Sequence, residues 1–148
     1  MEFVVAFDGT PVSKTALDRT VQLADGVDGD VTAISVVPAG NAQYARQRGW
    51  VDAEDTYSLD AVVDTLRESV KSIAPNAAFV SQSVDRYAPR GKIGRVLRTA
   101  ASESGVDVLV IGSANAGRVF TAVSTVTRSV ANGSYDLYVV REIDSRFR

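Results

Sequence analysis

Two short apolar runs, each ending in small polar residues, constrain the fold more than any other feature of the sequence. Val108-Leu109-Val110-Ile111 runs into Gly112-Ser113, and Phe3-Val4-Val5-Ala6-Phe7 runs into Asp8-Gly9. Neither run alternates apolar with polar positions, so each needs an apolar neighbour on both faces, the situation of a buried parallel strand. Parallel strands demand crossover connections, and the carboxyl ends of such strands are where open α/β sheets hold their ligands. Two glycine-bearing tips side by side therefore predict a crevice of nucleotide type.

Around these runs the chain alternates strand and helix patterns five times. The first strand covers residues 2–7, and Thr10-Pro11 then supplies an N-cap and a proline at the first helical position, with Ala16, Leu17, Val21 and Ala24 facing inward. Asp25-Gly26 through Asp28-Gly29 end that helix, and Val31 to Val37 form a second strand stopped by Pro38-Ala39-Gly40. Leu59, Val62, Val63, Leu66, Val70 and Ile73 recur at helical spacing, Pro75-Asn76 closes the helix, and a third strand covers residues 78–84. After Pro89-Arg90-Gly91, the positions Ile93, Val96, Leu97, Ala100 and Ala101 mark another helix, which Gly105 breaks before a strand from Asp107 to Ile111. A last helix ending near Asn132-Gly133 and a strand from Leu137 to Val140 complete the pattern. With right-handed crossovers, the expected architecture is α/β, a doubly wound open parallel five-stranded sheet. No internal boundary or repeat interrupts residues 1–148, which read as a single domain. The segment from Gly40 to Asp52, with Tyr44, Arg46, Arg48 and Trp50, reads as one long irregular connection, and such connections are usually functional.

Composition narrows the function. The net charge of −2, with Arg and Lys dispersed, offers no field to gather nucleic acid or an anionic membrane. Cys and His are both absent, which excludes disulfides, thiolate nucleophiles, imidazole bases and the usual zinc sites. No stretch approaches the roughly 20 apolar residues of a membrane span, and residues 1–7 enter a strand pattern without a basic leader, so the expected location is the cytoplasm.

Three segments together carry a family likeness. Ala6-Phe7-Asp8-Gly9-Thr10-Pro11-Val12-Ser13, Gly105-Val106-Asp107-Val108-Leu109-Val110-Ile111-Gly112-Ser113 and Tyr138-Val139-Val140-Arg141 resemble the universal stress protein family, and the likeness covers the whole chain. It implies a Rossmann-like sheet of strand order 3-2-1-4-5, a homodimer, and a stress-response role with or without a bound adenine nucleotide. In the nucleotide-binding branch it implies a signature of Gly, two residues, Gly, nine residues, Gly, then Ser or Thr.

Here the first signature position is Gly112 with Ser113 beside it, the second falls on Asn115 with Gly117 two residues on, and Ser124-Thr125-Val126 stand where the last glycine and its hydroxyl partner belong, after a spacer of eight. Asn tolerates a positive φ, and Ser124 and Thr125 present a cap and a hydroxyl where anions are favoured, although Ser124 brings a side chain where the family has none. The likeness also places Asp8, with Gly9 and Thr10, near the adenosine, and Val36 beside the base. Arg118 and Arg128, outside the family pattern, are candidates to meet phosphate charge.

Each feature also has a structural reading. Asp8-Gly9-Thr10-Pro11 is an ordinary strand-to-helix turn, Gly112 to Gly117 a small-residue loop, and Val119, Val123, Val126 and Val130 one apolar helix face. Trp50 and Tyr44 suit packing of the long loop onto the sheet. No base and nucleophile pair stands at the predicted sheet edge, and Lys14, Lys71 and Lys92 lie outside any phosphate-cradling loop, so the chain is expected not to be an enzyme. The resulting expectation is a binding switch in which ATP, with Mg²⁺ held largely by phosphate and water, orders residues 113–124 and 40–52. The alternatives are a dimeric stress-response module with no nucleotide, and a site for cyclic AMP. On either view the apolar strand Leu137 to Val140 is the expected dimer edge.

Overall fold

The computed structural model describes residues 1–113 and 134–148. Five strands, β1 (Glu2–Ala6), β2 (Asp30–Pro38), β3 (Ala78–Val84), β4 (Val108–Gly112) and β5 (Asp136–Val140), form one sheet in the order β3-β2-β1-β4-β5. All four pairings are parallel, as the doubly wound expectation requires. The described helices are α1 (Pro11–Val27), α2 (Ala42–Gln47), α3 (Leu59–Ile73) and α4 (Arg90–Glu103), followed by a short 3-10 turn at Ser145–Phe147. The predicted helix that ends near Asn132-Gly133 lies outside the described residues.

The central strands explain why their sequences do not alternate. Val4 and Leu109 point to one face and pack with Ile34, Ile111, Leu97, Ala100 and Ala101, beneath α4. Val5 and Val110 point to the other and pack with Leu17, Val62, Leu66 and Val70, beneath α1 and α3. Successive residues of a strand face opposite sides, so a strand covered on both sides must be apolar throughout. Val4, Val5, Leu109 and Val110 are fully buried.

Local signals set the helix ends. The Thr10 side chain caps α1 by accepting from the Ser13 N–H, Pro11 occupies the first turn, and Asp28 ends the helix in the left-handed region at φ 54°. Ser58 caps α3, whose buried stripe is Val62, Leu66 and Val70. The Gly40–Asp52 connection is not irregular throughout, because α2 forms inside it. Asn41 caps α2 by accepting from the Tyr44 N–H at 3.0 Å, and a helix of under two turns is too short to show periodicity in sequence. Trp50 packs into the core at 6% exposure, as the structural reading of that residue anticipates.

Candidate functional site

The carboxyl tips of β1 and β4 meet at a cavity of about 580 Å³, within the range of small-molecule sites. Asp8, Gly9, Thr10, Val36, Gly112 and Ser113, all singled out in the sequence, line it together. Asn115, Gly117, Arg118, Ser124, Thr125, Val126 and Arg128 lie outside the described residues, so their placement at this cavity stays an expectation from sequence.

The β1 tip is built by its own short-range chemistry. Gly9 takes φ 77°, which turns the chain sharply, and the Asp8 carboxylate steadies the turn. Asp8 Oδ1 accepts from the Thr10 N–H at 3.1 Å and from the Thr10 hydroxyl at 2.5 Å. The Asp8 N–H donates to Ser13 Oγ at 3.4 Å, and Ser13 Oγ donates to the Thr10 carbonyl at 3.0 Å. Across the sheet, the buried Ser35 hydroxyl donates to the Phe7 carbonyl at 2.6 Å, tying the tip to β2.

At the β4 tip, the amino end of α1 comes close enough to require glycine. A Cβ on Gly112 would lie 3.0 Å from the Val12 carbonyl oxygen and 3.1 Å from its carbonyl carbon. Ser113 follows with its N–H donated to the Val140 carbonyl at 2.8 Å, extending the β4–β5 ladder into the crevice rim. Its Oγ is buried and has no hydrogen-bond partner among the described residues. A buried hydroxyl costs free energy unless something pairs with it, so its place on the cavity wall fits a polar ligand.

The third wall comes from the loop that carries α2. Trp50 Nε1 donates to the Asp8 carbonyl at 2.6 Å, while the Tyr44 and Trp50 rings are tilted against each other at 5.5 Å. The Arg48 guanidinium lies 3.9 Å over the Tyr44 ring, and Arg48 Nε stands 3.6 Å from Asp8 Oδ2. Tyr44 and Arg48 are four residues apart, the spacing that lets helix-borne side chains meet. That spacing was legible in the sequence and singles out Arg48 from Arg46, but only once a helix is known to form there. Asp8 and Arg48 are the charged side chains on the cavity wall among the described residues.

A site with a carboxylate acceptor, a guanidinium, a hydroxyl unpaired among the described residues and the apolar Val36, Ile93 and Leu97 offers a ligand apolar surface and several polar anchors. Solved structures share the five-stranded fold that carries it. A universal stress protein in complex with cAMP superposes with a TM-score of 0.56 at 21% identity, over 95% of this chain and 96% of that one. The universal stress protein from Archaeoglobus fulgidus in complex with dAMP gives 0.54 at 16% identity, over 95% and 97%. The hypothetical protein MJ0577, solved as a test case of structural genomics, gives 0.61 at 15% identity, over 97% of each chain. No curated protein sequence is close enough to count as a match. The sequence profile of the universal stress protein family matches residues 1–141, which span all five strands of the sheet and both tips of the crevice, and this chain belongs to that family.

Proposed function

We propose that the crevice between the β1 and β4 tips binds an adenine nucleotide, and that the chain works as a nucleotide-responsive stress protein rather than an enzyme. The observation that carries this reading is the convergence of six sequence-marked residues on one cavity, among them Ser113, whose hydroxyl has no partner among the described residues. Support also comes from the two similar universal stress proteins solved with cAMP and with dAMP. ATP is the expected physiological ligand, with Mg²⁺ brought by its phosphates, and the switch is the ordering by the ligand of residues 40–52 and 113–124, which changes a surface on which a protein partner docks. The protein acts in the cytoplasm as a single-domain homodimer paired through β5, where Tyr138 is exposed and leaves apolar surface for a second copy to cover.

Isothermal titration of the chain with Mg²⁺-ATP, ADP and cyclic AMP, with Asp8→Ala alongside, tests the ligand. Binding in the micromolar range that the substitution abolishes is the expected result. Binding of cyclic AMP alone moves the assignment to that ligand. Light scattering at micromolar concentration is expected to give the mass of a dimer, and a monomer would remove the β5 pairing.

One observation favours a second reading, a dimeric module whose crevice binds nothing. The Asp8 carboxylate is already engaged by the protein itself, with Thr10 on one oxygen and Arg48 near the other. No heat with any adenine ligand would select this reading.

A further inference from the structure

Arg48 is a cation held in place with little to hold. Its backbone is fixed at the end of α2, where its N–H donates to the Tyr44 carbonyl at 3.2 Å. Its guanidinium rests on Tyr44, Tyr44 leans on Trp50, and Trp50 is bonded to the Asp8 carbonyl, so a chain of contacts aims the charge at the crevice. Yet Nε is buried and makes no hydrogen bond among the described residues. The 3.6 Å separation from Asp8 Oδ2 exceeds hydrogen-bond length, and side-chain exposures of 31% and 39% leave the pair screened by water and weak.

Asp8 is its complement. Thr10 fills Oδ1 with two donors, while Oδ2 accepts no hydrogen bond among the described residues, and Asp8 lines the cavity. A free acceptor and a pre-aimed guanidinium, side by side and not bonded to each other, match a ligand that carries hydroxyl donors and an anion close together. A phosphoribosyl group has that composition, with ribose hydroxyls to donate and a phosphate attached to the same sugar. Guanidinium forks suit phosphate oxygens, and a charge-assisted bond there replaces a loose ion pair.

We propose that Arg48 is the specificity-determining residue that makes the crevice prefer phosphorylated nucleosides over free ones, releasing Asp8 Oδ2 to the ribose as it engages the phosphate. This rests on the adenine-nucleotide reading above. The test titrates the full chain with AMP, cyclic AMP and adenosine, followed by calorimetry and by emission from Trp50, the one tryptophan. The variants are Arg48→Gln and Arg48→Lys, each checked by circular dichroism for an unchanged fold. In the wild type, AMP and cyclic AMP are expected to bind more tightly than adenosine. Arg48→Gln is expected to weaken both nucleotides about tenfold or more, leave adenosine within about twofold, and thus erase the preference. Arg48→Lys is expected to retain part of it, because it keeps the charge and loses the fork.

Equal weakening of adenosine and nucleotides would reduce Arg48 to a structural support and overturn the proposal. So would unchanged binding of all three ligands. In both cases the wild type still binds, and the site reading survives. A wild type that binds none of the three ligands overturns the site reading and this proposal with it.

Discussion

Replacing one glycine by alanine should have opposite effects at two positions in this fold. At Gly112, a new Cβ would meet three atoms of Val12, the carbonyl oxygen at 3.0 Å and both the carbonyl carbon and Cγ2 at 3.1 Å. Carbon atoms in comfortable contact sit about half an ångström further apart than that. Two of the three are backbone atoms in the first turn of α1, which Thr10 caps and Pro11 stiffens, so they cannot rotate away. Overpacking of this kind costs about 1–3 kcal/mol, and for a chain of 148 residues it should lower Tm by roughly 3 to 10 °C. At Gly26, in the last turns of α1, an added Cβ meets nothing within 4 Å and the backbone is not in the left-handed region. There the gain in helix preference should stabilise by about 0.5 kcal/mol. Thermal denaturation and urea melts of Gly112→Ala, Gly26→Ala and the parent decide the matter. A Gly112→Ala protein that melts with the parent or above it would refute the claim that close approach of α1 to the β4 tip requires glycine there.

Further outcomes follow from single contacts. Trp50→Phe keeps most of the buried ring and loses the bond to the Asp8 carbonyl, so urea denaturation should report a loss of about 1–2 kcal/mol. Leu66→Ala, on the buried face of α3, should cost about 2–5 kcal/mol in the same assay. Thr10→Ala removes the α1 cap and should cost about 1 kcal/mol. At the carboxyl end, the Arg146 side chain bonds Asp144 and holds its carboxyl at about 2, below the ordinary 3.8. A depressed folded-state value means that this contribution to stability is present above pH 4 and fades as pH falls toward 2. In Arg146→Ala, NMR titration should find the Asp144 value raised from about 2 but still below 3.8, because the backbone N–H of residue 146 and the charge of Arg19 continue to favour the carboxylate.

The sequence carried the architecture because the physics behind it is local and repetitive. Runs such as Val108 to Ile111 declare burial on both faces, and Thr10-Pro11 and Ser58 declare helix starts without tertiary help. The crevice was legible for a related reason, since Asp8-Gly9 and Gly112-Ser113 each end a central strand and a parallel sheet brings such tips together. What the sequence hid depends on contacts between distant residues. Nothing near Arg48 says that it will face Asp8, forty residues earlier, because that meeting is arranged by a six-residue helix and by Trp50 reaching the β1 tip. The α2 helix itself rests on one Asn cap and too few residues for a hydrophobic period. The need for glycine at position 112 likewise comes from Val12 and not from its neighbours in sequence.

Ser113 has its backbone in one structure and its side chain in another, bonded to Val140 of β5 through its N–H while its hydroxyl lines the crevice. The Ser113 N–H therefore finds its partner only once the segment carrying Val140 has been made and has added itself to the sheet. Asp8 leaves the ribosome long before that, and for most of translation it is half of a site with no opposite wall. A molecule that grips both tips would thus engage only chains in which β4 has paired with β1, and it would favour them over every nascent form that stops short of the β4 tip.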